Sequence, residues 1–198
     1  MQFHNNKDKV LIIDFGSQVT KLIARRVREL GVYSEIITPK NIIKLKDYKN
    51  IKGLILSGGP STVTKKKFQS IPKEILEKKI PILGICYGMQ TMAIQLGGNA
   101  KYANKSEFGF AQIHKKNNSQ LLDDIYDDIK SNGDELMDVW MSHGVEVTKL
   151  PKGFELIAST DNCPIAGFAN KKKKYYGLQF HPEVTHTKQG INILERFV

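Results

Sequence analysis

The sequence predicts an α/β fold: a mostly parallel open sheet flanked by helices, with antiparallel strands added in its C-terminal half. In the first half, short continuous apolar runs alternate with segments of helical spacing, the pattern of buried parallel strands joined by crossover helices. In the second half, strand-like runs follow one another with only turns between them, as antiparallel strands do. The 198 residues show no internal repeat, low-complexity linker or break in composition, so residues 1–198 are expected to form one domain.

Val10-Leu11-Ile12-Ile13 reads as a buried strand ending in the turn Asp14-Phe15-Gly16-Ser17. Ser17 is placed to cap a helix whose apolar positions are Val19, Leu22, Ile23, Val27 and Leu30, with Gly31 to stop it. Residues 33–38 and 53–57 are expected strands, the second closed by Gly58-Gly59-Pro60. A helix is expected over 68–79, a strand over 80–85 running straight into Cys86, and a helix from Tyr87 to about Leu96, stopped by Gly97-Gly98. Further strands are expected at 110–114, 136–141, 145–148, 154–160, 165–169 and 175–180. The polar, acidic stretch 117–134 suggests a short helix and loops, and 191–197 the start of a final helix. Ligands of such sheets bind beyond the carboxyl ends of the parallel strands.

Bulk composition narrows the function classes. No apolar run approaches the roughly 20 residues of a membrane helix. The start, Met1-Gln2-Phe3-His4-Asn5-Asn6-Lys7, lacks the apolar core of a signal peptide, so a cytoplasmic location is expected. Cys86 and Cys163 are then free thiols, and with neither a CxxC nor an HExxH motif no metal is expected. The net charge of +10 comes from 26 Lys and only 4 Arg. Arg supplies the bidentate and stacking contacts that base readout favours, and the Lys are spread along the chain, so nucleic acid is not an expected partner. The short runs Lys65-Lys66-Lys67 and Lys171-Lys172-Lys173-Lys174 read as solvated loop or hairpin tips.

The chemistry concentrates in two motifs. Gly84-Ile85-Cys86-Tyr87-Gly88 has the pattern of a nucleophile elbow, with a thiol between two glycines at a strand-to-helix junction. The flanking glycines remove side chains that would clash in the tight turn, and the helix amino end favours a thiolate. The strand at 175–180 delivers His181-Pro182-Glu183 at its end. An imidazole there can take the thiol proton and return it to a leaving amine, while the carboxylate fixes its tautomer. The N–H groups of Gly59 and Tyr87 would make a two-donor oxyanion hole. Ser57-Gly58-Gly59-Pro60-Ser61 resembles the start of an ATP-pyrophosphatase phosphate loop, but the following Asp-Ser is missing and no Walker motif occurs, so no nucleotide site is expected on this chain.

Cys elbow, Gly-Gly-Pro and Phe-His-Pro-Glu together resemble the class I (triad) glutamine amidotransferases, whose fold is flavodoxin-like. Within that class, residues 10–32, 54–61, 84–96 and 139–144 are similar to the amidotransferase domain of bacterial GMP synthases. The resemblance implies Cys86 as nucleophile, His181 as base and Glu183 as its orienting carboxylate. It also implies Gln90, Ser142, Gly144 and Val145 as contacts for a glutamine substrate, with His143 shaping that segment. Val145 stands where the family usually has Asp. His4, His114 and His186 belong to no motif, and Cys163 is read as a bystander. The implied partner is an ATP-pyrophosphatase (synthetase) domain that would bind ATP and Mg2+ and, like the family's dimerisation domain, lies outside this chain. The end at Val198 falls where the family continues, so a fragment or excised domain is expected. Three rivals are weighed against this reading: an amidotransferase of another pathway, a γ-glutamyl peptidase, and a non-enzymatic binding module.

Overall fold

The computed structural model describes residues 7–45 and 47–198; the expectations for the first six residues and for His4 fall outside that range. Strands β1 (Lys9–Ile13), β2 (Ser34–Ile37), β3 (Ile51–Leu56), β4 (Ile82–Ile85) and β10 (Tyr175–Leu178) form the parallel core. β5 (Asn99–Lys115), β6 (Asp128–Ile129), β7 (Glu135–Lys149), β8 (Glu155–Ser159) and β9 (Gly167–Asn170) extend it antiparallel, in the order β2-β1-β3-β4-β10-β9-β8-β5-β7-β6. The helices are α1 (Thr20–Glu29), α2 (Pro39–Ile42), α3 (Tyr87–Gln95) and α4 (Gly190–Phe197).

Both faces of the parallel core are buried, which is why its strands read as unbroken apolar runs. Val10 and Ile12 of β1 pack with Ile23 and Val27 of α1 and Ile193 and Leu194 of α4. Leu11 and Ile13 point the other way and pack with Met89 and Met92 of α3. The strand order sets β1, β3, β4 and β10 side by side, so their carboxyl ends bring residues 14–17, 57–60, 86 and 179–183 together. No helix among the described residues is long and apolar enough to cross a membrane.

Several expected elements are corrected. The helix expected over 68–79 is only a short 3-10 turn, Lys73–Glu77, because Pro72 holds an extended ψ of 139° and disfavours helix before it. Ser17 does not cap α1: the capping position is Val19, and the Ser17 hydroxyl instead accepts from the Val19 N–H at 3.2 Å. Nor does 117–134 hold a helix; it carries turns and the two-residue β6. The strands expected at 136–141 and 145–148 are one strand, β7, which runs through Ser142-His143-Gly144. β5 begins eleven residues before the expected 110, since a polar run with mostly exposed side chains is held by backbone pairing to β7 rather than by an apolar face. α2 is an additional helix, with Thr38 extended at its capping position and Pro39 at its first position.

Candidate active site

β4 ends at Ile85, and Cys86 turns the chain into α3 with φ 51° and ψ −108°. An L-residue at positive φ stores about 1–3 kcal/mol. Here it is held by the Cys86 N–H donating to the Leu178 carbonyl of β10 at 2.7 Å and by close contact on both flanks. A Cβ on Gly84 would lie 2.7 Å from the Gly88 carbonyl carbon, and one on Gly88 would lie 2.1 Å from the Leu56 carbonyl oxygen of β3. The thiol approaches the Ser142 carbonyl oxygen at 3.5 Å and accepts from Gln179 Nε2 at 3.6 Å.

Three residues beyond β10, His181 meets the sulfur. Its Nδ1 lies 2.7 Å from Glu183 Oε1, and Glu183 is fully buried. Glu183 Oε2 has no hydrogen-bond partner among the described residues, so it is through Oε1 that this carboxyl engages the ring. The segment is braced from three sides. Arg26 Nε donates to the Glu183 carbonyl, the His181 N–H donates to the Trp140 carbonyl, and the Thr187 hydroxyl donates to the His181 carbonyl. Burial lowers the imidazole pKa, but the hydrogen bonds and charges of Cys86 and Glu183 outweigh it and raise the pKa to about 10.

A cleft of about 440 Å³ opens over these groups, lined by Gly16, Ser17, Gly59, Pro60, Cys86, Trp140, Ser142 and His181. Gly59 lies so close to β1's exit that a Cβ there would meet the Phe15 carbonyl oxygen at 2.8 Å. Tyr87 opens α3, where N–H groups have no partner within the helix. Gln90 sits behind Cys86, buried, with Nε2 donating to the Val145 carbonyl at 2.8 Å and to Gln179 Oε1 at 3.3 Å. Gly144 lies half-buried under Ser106. Val145 packs its side chain into the core, and its carbonyl faces Gln90 Nε2 and His143 Nδ1.

Sequence reasoning missed the support behind this segment. Buried Glu107 of β5 faces His143 Nε2 at 3.1 Å, while His143 Nδ1 faces the Val145 carbonyl at 3.2 Å. The Thr160 hydroxyl and Asn162 Nδ2 donate to the other Glu107 oxygen. Polar contacts thus run from Glu107 through His143, the Val145 carbonyl, Gln90 and Gln179 to the Cys86 sulfur. No motif marks Glu107; only its cross-strand register opposite His143 identifies it. Cys163 is fully buried, and desolvation with the nearby Glu107 and Glu146 charges pushes its thiol up to about 12. Its donor atom lies within 4.8 Å of those of Glu107 and His143. His114 pairs with Asp161 at 3.6 Å, and His186 lies against the Trp140 ring at 4.4 Å between centroids.

Replacing Glu107 by Ala is expected to cost about 3 kcal/mol in chemical denaturation, because it strands a buried imidazole and a buried hydroxyl. A KM raised several-fold for whatever substrate the Cys86 cleft takes is the second expected result in the same variant, since the Val145 carbonyl and Gln90 lose their brace. Unchanged stability would mean that the buried Glu107 contacts add nothing net to the fold.

The family model for class I glutamine amidotransferases matches residues 11–198. The glutamine-hydrolysing GMP synthase of Ruthia magnifica is 63% identical over 191 residues, covering 96% of this chain and 36% of that relative. The corresponding enzyme of Hydrogenovibrio crunogenus is 53% identical over 197 residues, covering 98% of this chain and 37% of its own length. The chain therefore spans little more than a third of the curated relatives it matches. Among solved structures, a protein from Thermoplasma acidophilum assigned as a GMP synthase A subunit superposes with a TM-score of 0.84 at 32% identity, covering 98% of this chain and 94% of its own. A glutamine amidotransferase from Thermotoga maritima shares the fold, with a TM-score of 0.75 at 20% identity and 96% of both chains covered.

Proposed function

Because the chain belongs to the class I glutamine amidotransferases, we propose that it hydrolyses glutamine to glutamate and ammonia through a thioester on Cys86. The observation that carries this reading is the meeting, at the ends of neighbouring strands β4 and β10, of a strained thiol with an imidazole anchored by a buried carboxylate. The Cys86 thiolate attacks the carboxamide carbon, and the N–H groups of Gly59 and Tyr87 take the charge that develops on its oxygen. His181, as imidazolium, gives its proton to the departing ammonia. It then takes a proton from the water that hydrolyses the thioester and releases glutamate. Ser142, Gly144, Val145 and Gln90 shape the pocket for the amino-acid end of the substrate. The ammonia serves ATP-dependent amination of XMP to GMP in the cytoplasm, carried out by a synthetase portion outside this chain that binds ATP and Mg2+. The length and identity of the curated relatives support this part of the reading.

The test is glutamate release from glutamine by the purified chain beside its Cys86→Ala variant. Release that survives in the variant overturns the mechanism. Release from γ-glutamyl peptides in preference to glutamine moves the assignment to a peptidase.

A pH prediction follows from the His181–Glu183 couple. Glu183→Gln keeps the shape and removes the charge, so the imidazole pKa is expected to fall from its raised position. The imidazolium is lost as pH rises through about 10, and the alkaline limb of kcat should lie there in the parent and at lower pH in the variant. We expect kcat to drop by about 10²–10⁴. Stability follows the same sign: the folded pKa lies above the reference 6.5, so this group's contribution is complete below that pH and fades as pH climbs toward 10. An alkaline limb that does not move on Glu183→Gln would detach the carboxylate from the imidazole's titration.

A further inference from the structure

Behind the segment that carries Ser142 and Val145, three buried side chains from different elements bring one ligand atom each together. They are Glu107 of β5, His143 of β7 and Cys163 of the loop after β8, and their oxygen, nitrogen and sulfur atoms all lie within 4.8 Å of one another. The surroundings of His143 point to a cation among them. Its Nδ1 faces the Val145 carbonyl, which can only accept, so Nδ1 carries a proton. Its Nε2 faces Glu107 Oε2 at 3.1 Å, a second acceptor. A neutral ring would then set a lone pair against a carboxylate, and a proton or a metal ion shared between the two resolves the conflict.

Each of the three atoms is also backed in the manner of a metal ligand. The His143 Nδ1–H donates to the Val145 carbonyl, which fixes the ring. Glu107 Oε1 accepts from the Thr160 hydroxyl at 2.8 Å and from Asn162 Nδ2 at 3.3 Å, which leaves Oε2 for a cation. The Cys163 sulfur accepts from the Ile165 backbone N–H, and the Glu146 carboxylate adds a second negative charge that acts on it. A cleft of about 380 Å³ reaches Glu107 from solvent and is lined as well by Thr160, Asp161, Asn162, His114 and Lys130. We propose that Glu107 Oε2, His143 Nε2 and Cys163 Sγ form a binding site for a zinc-class divalent cation, its fourth position taken by water from this cleft. One oxygen, one imidazole nitrogen and one thiolate suit a borderline-soft ion, whereas Mg2+ and Ca2+ want oxygen alone. Binding makes one bond from the ion to each of the three atoms, and the thiol proton and the proton between His143 and Glu107 leave to solvent. The ion takes over from that proton as the bridge and holds His143 against the Val145 carbonyl. No local motif announces such a set, because Glu107 and His143 stand 36 positions apart and meet only across the β5–β7 pairing. The site does not depend on what the Cys86 cleft hydrolyses.

The experiment titrates Co2+ into the reduced, metal-free chain carrying Cys86→Ala, followed by absorption, and then displaces it with Zn2+. The chain has two cysteines, so in this background any thiolate-to-cobalt charge-transfer band reports Cys163. The expected result is one Co2+ per chain with that band and the strong visible bands of tetrahedral cobalt, lost when one equivalent of Zn2+ is added. Adding Cys163→Ser should remove the charge-transfer band. Glu107→Gln and His143→Gln, each made in the Cys86→Ala chain, should weaken Zn2+ binding at least about tenfold. The unfolding temperature of the Cys86→Ala chain is a second readout that needs no variant of the cluster. With Zn2+ at a hundred times its Kd it should rise by about 5 °C or more, and Mg2+ at the same concentration should leave it unchanged. A titration without the charge-transfer band overturns the site. So does a band that Glu107→Gln and His143→Gln leave intact at the same affinity, for then Cys163 binds the ion with other partners. Binding that appears only above about 1 mM is an adventitious ion only, and it too overturns the site.

Discussion

Cys86→Ala is expected to abolish glutamine hydrolysis, lowering kcat by at least about 10⁴, while the protein stays folded. The loss is this large because no other described nucleophile shares the position: the second thiol, Cys163, is buried and pushed up to about 12. Cys86→Ser should fare little better, since an unactivated hydroxyl supplies almost no oxyanion at neutral pH. Stability gives an independent readout of the elbow. Ala keeps a Cβ at φ 51°, whereas Gly relieves it, so Cys86→Gly should be more stable than Cys86→Ala by about 1 kcal/mol in urea unfolding. Equal stability of the two variants would mean the backbone at Cys86 is not held in the strained form. Residual hydrolysis in Cys86→Ala within tenfold of the parent would remove Cys86 from the chemistry.

What the sequence revealed and hid follows the range of the interactions. Cys86 and His181–Glu183 were legible because each lies within a few residues of the strand that aims it, and Gly84 and Gly88 declare the turn locally. Glu107 was hidden because it sits in a polar run and finds His143 only through pairing across 36 positions. Gln179 was passed over for the same reason: its partners, Gln90 and Cys86, are 89 and 93 positions away. The parallel core was legible because burial on both faces leaves continuous apolar runs. Most of β5 was not, because backbone pairing to β7, rather than any apolar face, holds a sequence of Lys, Asn and Ser extended. Polar residues that obey no period are ambiguous between loop and exposed strand until the partner strand is known.

Gly88→Ala should be among the most destabilising single-methyl additions, at about 4 kcal/mol or more, and should leave whatever folds without activity. The added Cβ would sit 2.1 Å from the Leu56 carbonyl oxygen, 2.6 Å from its carbonyl carbon and 2.7 Å from its Cβ. These are mostly backbone atoms of β3, a strand hydrogen-bonded on both sides, so they cannot swing aside as a flexible side chain would. Relief has to come from α3, which would lift off the sheet, open the packing around Met89 and Met92, and carry Cys86 away from His181. Displacements near 1 Å are enough to cost a reaction about two orders of magnitude. Gly31→Ala and Gly97→Ala separate this clash from the general cost of losing a glycine. Both have positive φ, 79° and 91°, with nothing within 4 Å of the new Cβ, so each should cost only about 1 kcal/mol and spare hydrolysis. Urea denaturation of the three variants decides the matter. If Gly88→Ala behaves like the other two, close packing of α3 on β3 is not what holds the nucleophile in place.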